Sequence, residues 1–127
     1  MPTLSSYDYA YIQVVPRVER CEFINVGVIV LCRTKRFLGA QIALEPTRLL
    51  TFAPYLSVET VQAHLELIPR ICAGEGPIGQ FERTERFHWI VAPHSTVIQC
   101  SPVHSGLCHD PAAALEQLVQ QMIMSAT

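Results

Sequence analysis

The chain has 127 residues, half of them hydrophobic and only 16% charged, so an intrinsically disordered segment is excluded on composition. That length is expected to form one domain, residues 1–127, with a core that needs no staples. A net charge of -2 with a pI near 6.2 argues against a protein that lives on nucleic acid or an anionic membrane.

Five cysteines are present (Cys21, Cys32, Cys72, Cys100 and Cys108), an odd number with no CxxC pair. The start, Met1-Pro2-Thr3-Leu4-Ser5-Ser6, has neither a charged n-region nor an apolar h-region. No apolar run approaches the ~18 residues that span a bilayer. A cytoplasmic protein with reduced thiols is therefore expected.

Tyr7 to Val15 reads as the first strand, with Tyr7, Tyr9 and Tyr11 on one face and Ala10, Ile12 and Val14 on the other. The tyrosine row reads as amphipathic packing with hydroxyls at the rim, rather than as a ligand-stacking surface. Pro16 ends the strand or marks an edge. The charged connection Arg17-Val18-Glu19-Arg20-Cys21-Glu22 follows. It leads into Phe23 to Arg33, a nearly pure run of apolar, mostly β-branched residues that reads as a central strand buried on both faces. Thr34-Lys35 is a plausible tight turn, and Arg36 to Leu44 returns as the hairpin partner. Gly27 and Gly39 lie inside strands, where glycine marks a bulge or a close backbone neighbour.

Pro46 to Phe52 suits a short helical turn. Ser57 caps a helix carrying Val58, Val61, Leu65, Ile68 and Cys72 as one apolar stripe. Pro69 is expected to kink that helix or to end it near Ile68. Residues 81–86 are open between helix and loop. Phe87 to Ala92 reads as a strand with Phe87, Trp89 and Val91 on one face, Thr96 to Cys100 as another, and Ser101 to His109 as a polar loop. Asp110-Pro111 is a strong helix start, and Leu115, Leu118, Val119, Met122 and Ile123 form the stripe of a C-terminal helix. The fold class expected is α+β: an antiparallel or mixed sheet of about five strands with two main helices on one face.

Two polar stretches compete as sites. In the first, Arg17, Glu19, Arg20 and Glu22 could bind a phosphate or place a water between carboxylates, or could simply pair with one another. Asn25, an amide inside a strand, must find partners. The second runs from Arg86 to Gly106 and holds His88, His94 and His104 with Ser95, Thr96 and Gln99. A histidine beside a serine could act as base to a nucleophile, but no nucleophile-elbow motif is present. Cys100, His104, Cys108 and His109 have a spacing unlike a zinc knuckle, so no metal is expected. There is no glycine-rich phosphate loop or dinucleotide fingerprint, and no cofactor is expected.

These two stretches together resemble the bacterial family called domain of unknown function 3037. The likeness rests on Glu19, Arg20, Glu22, Asn25 and Gly27 in the first. In the second it rests on Arg86, Phe87, Trp89, Pro93, Ser95, Thr96, Gln99, Ser101, Pro102, His104 and Gly106. It covers the chain from about Tyr7 to the last helix and implies no established activity. Some members lie near kinase-like proteins of the HipA type, which implies an accessory or binding role. Cys21 stands where members carry glycine, which argues against a catalytic role for it.

The expected function is a small non-enzymatic binding or accessory module for a protein partner or a small anionic or polar ligand. The other class is a small hydrolase or phosphoryl-transfer enzyme that sets the Arg/Glu loop against the His/Ser loop. The candidate ligand-binding residues are Arg17, Glu19, Arg20, Glu22, Asn25, Ser95, Thr96, Gln99 and His104, with no catalytic residue assigned. If their strands are neighbours, Arg20, Glu22, Asn25, Ser95, Thr96 and His104 line one surface.

Overall fold

The computed structural model describes residues 4–16, 22–93 and 97–125. The first hairpin pairs β1 (Ser5–Val14) with β2 (Ile24–Cys32), and β3 (Phe37–Ile42) follows. Three helices come next: α1 (Pro46–Phe52), α2 (Val58–Cys72) and, after a short 3-10 turn at Ile78–Gln80, α3 (Arg83–Val91). β4 (Ile98–Cys100), β5 (His104–Cys108) and α4 (Pro111–Ser125) complete the order. The five strands make one antiparallel sheet in the order β3-β2-β1, with β4 and β5 end to end along the other edge of β1. The class is α+β, as the element pattern implies.

The register sets which side chain meets which layer. Ile12 pairs with Gly27 but Gln13 pairs with Asn25, so Val26 is an extra residue in β2. This bulge turns Ile24 and Val26 to the same face as Ile29 and Leu31. That face, with Ala10, Ile12 and Val14 of β1, packs against Leu49 of α1, Val61, Leu65 and Ile68 of α2, and Phe87 and Ile90 of α3. Val28 and Val30 point the other way and are covered by Leu115, Leu118, Val119 and Met122 of α4.

Helices therefore lie on both faces, not on one. The reason is in β2 itself: a strand with apolar side chains pointing both ways needs a cover on each side. At Gly27 the neighbouring strand leaves no room for a side chain. A Cβ there would stand 2.8 Å from the Gln41 backbone oxygen and 3.0 Å from Ile42 Cδ1, the close backbone neighbour its position implies.

Four local expectations change. Phe87 to Ala92 is not a strand: residues 83–91 are helical, burying Phe87 and Ile90 at a three-residue spacing and leaving Trp89 44% exposed. Packing against α2 overrides the β-propensity of these aromatic and branched residues. The expected polar loop after Ser101 contains a strand, β5, recruited by the free edge of β1. Helix α2 runs through Pro69 to Cys72. Arg86 completes its end, donating through Nη1 to the Ile71 and Cys72 carbonyls at 3.0 and 2.8 Å and through Nε to Phe81 O at 2.9 Å. Ile123 is 45% exposed, outside the α4 stripe.

Candidate functional site

A row of uncharged aromatic and amide side chains lies on the α4-side face of the sheet, centred on β1. Tyr7, Tyr9, Tyr11 and Gln13 alternate onto that face. Directly paired residues of antiparallel strands point the same way, so the register adds His104 opposite Tyr9, Gly106 opposite Tyr7, and both Gln99 and Asn25 opposite Gln13.

The rings touch in sequence. Tyr9 lies 5.6 Å from Tyr7, 6.0 Å from Tyr11 at 89°, and 5.4 Å from His104, centroid to centroid. Gln13 Nε2 donates to Asn25 Oδ1 at 3.0 Å, which supplies the partner that an amide inside a strand requires. Gly106 makes room for Tyr7: a Cβ there would fall 2.8 Å from the phenol ring. Burial and the neighbouring phenols push the Tyr7 and Tyr11 hydroxyls above their ordinary value, so both hold their protons and can donate at neutral pH.

Two features shape this face. Helix α4 packs chiefly on β2 and β3, and Tyr7, Tyr9 and Tyr11 stand half-buried along the margin of its cluster. The join between β4 and β5 is also irregular. From Cys100, opposite Ile12, to His104, opposite Tyr9, the edge strand spends one residue more than β1. Pro102 falls in this bulge, where a missing N–H costs no ladder bond. Ser101 closes the gap: its N–H donates to Tyr11 O at 2.9 Å, and its hydroxyl accepts from Tyr11 N–H at 2.9 Å. A side chain thus replaces a ladder carbonyl, and β5 resumes with the exposed His104 ring against Tyr9.

Of the residues expected to form a site, Asn25, Gln99 and His104 share this face. Asn25 and Gln99 meet at Gln13, while His104 sits four positions along β1, about 13 Å away at the usual rise per residue. Glu22 is exposed just before β2. Arg17, Glu19, Arg20, Ser95 and Thr96 lie outside the described residues, as do Cys21 and His94. Tyr7, Tyr9, Tyr11 and Gln13 were not among the site candidates. Their alternation was visible, but only the pairing with β4 and β5 brings the amides and the imidazole beside them.

The cysteine and histidine cluster near the C-terminal half does not converge. Cys100 pairs with Ile12 and packs on the α2 side, whereas His104 lies on the tyrosine face. Among the described residues no group of three or more His, Cys, Asp or Glu is placed to hold a metal ion. Cys32, Cys72, Cys100 and Cys108 are free thiols. Burial pushes the Cys72 thiol up to about 12, against a lowering influence of Arg86, and the Cys100 thiol up to about 11. Neither supplies the thiolate a nucleophile needs at neutral pH.

The fold and this surface define a small α+β protein that presents an uncharged aromatic and amide face from one side of an antiparallel sheet. The chain belongs to the family described as "Protein of unknown function (DUF3037)", whose profile matches residues 9–123, nearly the whole length. No curated protein and no solved structure matches it. No helix among the described residues is long and apolar enough to cross a membrane.

Proposed function

We propose that this chain is a non-enzymatic cytoplasmic module that binds a protein partner through the tyrosine face of its sheet. The observation that carries this reading is the composition of the face. Three tyrosines, two glutamines, an asparagine and a histidine are aligned there by strand register, with no lysine, arginine or carboxylate among them. Tyrosine offers large contact area at small entropic cost, plus a hydroxyl to orient the partner. It is enriched, and charge depleted, at the centres of protein interfaces. A kinase-like protein, which the family resemblance implies for some members, is the first partner to try.

The test adds a charge where the interface would be dry. His104 is exposed, so His104→Glu is expected to leave the melting temperature unchanged. Affinity purification of the tagged chain from its native cell should recover a stoichiometric protein, and His104→Glu should weaken that association about tenfold or more. Retention of the partner at wild-type affinity by the variant removes this face as the interface. Turnover of a generic ester or phosphoester that disappears in His104→Ala would replace the binding reading with the enzymatic one.

A further inference from the structure

On the opposite side of the sheet from the tyrosines, the β2–β3 loop and the start of α3 border an open polar hollow of about 370 Å³. Four of the chain's nine basic residues line it (Arg33, Arg36, Arg83 and Arg86), against one carboxylate, Glu82. For a chain of net charge -2 this is a strong local concentration of positive charge.

The four arginines play different parts. Arg33 is held by Asp8, Nη1 to Oδ2 at 2.7 Å, and Asp8 is itself steadied by the Ser105 hydroxyl at 3.0 Å. Arg86 is held by the carbonyls of Phe81, Ile71 and Cys72, neutral acceptors that leave its charge uncompensated. Arg36 and Arg83 have no ion-pair partner among the described residues. Two cations are thus fixed and two are left to close on a ligand.

Arg36 also occupies a position that favours glycine. Its φ is 53°, the one non-glycine residue with positive φ among those described, and the chain carries a guanidinium there. The Thr84 hydroxyl lines the same hollow. At this end of α3 the N-cap Glu82 makes no side-chain bond to the first amides.

We infer that this hollow is a binding site for the phosphate group of a small phosphorylated molecule. Guanidinium forks match the oxygen pairs of a phosphate and bind it through paired, charge-assisted hydrogen bonds. The volume exceeds that of a bare phosphate and lies in the range of small-molecule pockets. The acidic balance of the whole chain provides no long-range attraction for a polyanion, which favours a small ligand over a nucleic-acid backbone.

Inorganic pyrophosphate titrated into the full-length chain at low ionic strength, followed by calorimetry, tests this. One equivalent should bind saturably. The double variant Arg36→Gly/Arg83→Gln should bind about tenfold more weakly or worse, from the loss of charge-assisted bonds. Its unliganded melting temperature should match the wild type, since glycine suits the positive φ and Arg83 is exposed. His104→Glu should bind pyrophosphate as the wild type does, which separates this site from the sheet face. No saturable binding to the wild type, or equal binding to the double variant, overturns the assignment. So does a short single-stranded oligonucleotide that binds more tightly than pyrophosphate, because the hollow would then serve a nucleic-acid backbone.

Discussion

At the scale of single residues, Gly27 is the strand glycine where an added Cβ would meet the backbone of a neighbouring strand. The Gln41 carbonyl on the neighbouring strand and the methyl groups of Ile42 and Ile12 stand 2.8, 3.0 and 3.2 Å from where a Cβ would sit. Side-chain methyls can turn aside, but a carbonyl in a strand ladder cannot move without breaking its own pairing. Gly27→Val is therefore expected to destabilise the fold by about 1–3 kcal/mol through overpacking. Chemical denaturation checks this: the midpoint should fall while the slope is unchanged, and an unaltered midpoint contradicts it. Arg86 has a comparable structural weight. One planar guanidinium satisfies carbonyls from the end of α2 and from the segment before α3, a task that the single ammonium of lysine does not reproduce.

At the scale of elements, the edge of the sheet depends on a hydroxyl. β4 and β5 act as one strand interrupted by a bulge, and the Tyr11 N–H opposite the bulge has the buried Ser101 Oγ as its acceptor. Ser101→Ala leaves that N–H without the acceptor. A cost of about 1–2 kcal/mol is expected, together with loosening of β5 and of His104 with it. Amide hydrogen exchange reads both effects: the Tyr11 amide and the β5 amides should exchange faster while those of β2 keep their protection. Uniform protection along β5 in the variant would show that the hydroxyl does not hold the edge. The hairpin of β2 and β3 shows a different economy. Its loop, Arg33 to Arg36, closes through Arg36 N–H to Arg33 O at 3.2 Å and places two arginines at one end of the sheet.

At the scale of the whole molecule, two thiols in and against the α2-side core make the fold sensitive to alkaline pH. The thiols of buried Cys72 and half-buried Cys100 have an ordinary value of 9.0 and rise to about 12 and 11 on folding, chiefly through loss of solvent. The folded state keeps those protons when the unfolded state has released them. Their contribution to stability is thus whole below pH 9 and is lost as pH rises toward about 12. The shifted phenols of Tyr7 and Tyr11, with an ordinary value of 10.0, act in the same direction. Melting temperature should hold steady from neutral pH to about 9 and then fall, and Cys72→Ala/Cys100→Ala should fall less steeply. A melting temperature that rises above pH 9 would reverse the sign.

The sequence by itself determined the parts whose physics is local. Alternation along β1, the apolar run of β2, the Ser57 cap and the Asp110-Pro111 start depend on neighbours in the chain, and each became the element expected. Tertiary structure decided what depends on distant partners. Phe87 and Ile90 became helical because α2 offered them a core, β5 formed because β1 had a free edge, and α4 crossed to the second face because Val28 and Val30 required a cover. The candidate surfaces divide in the same way. Asn25, Gln99 and His104 could be singled out as polar groups in or beside strands, but their company of tyrosines came from register. The arginine hollow was not legible at all, because Arg33 and Arg36 lie about fifty positions from Arg83 and Arg86 and only folding makes one pocket of them.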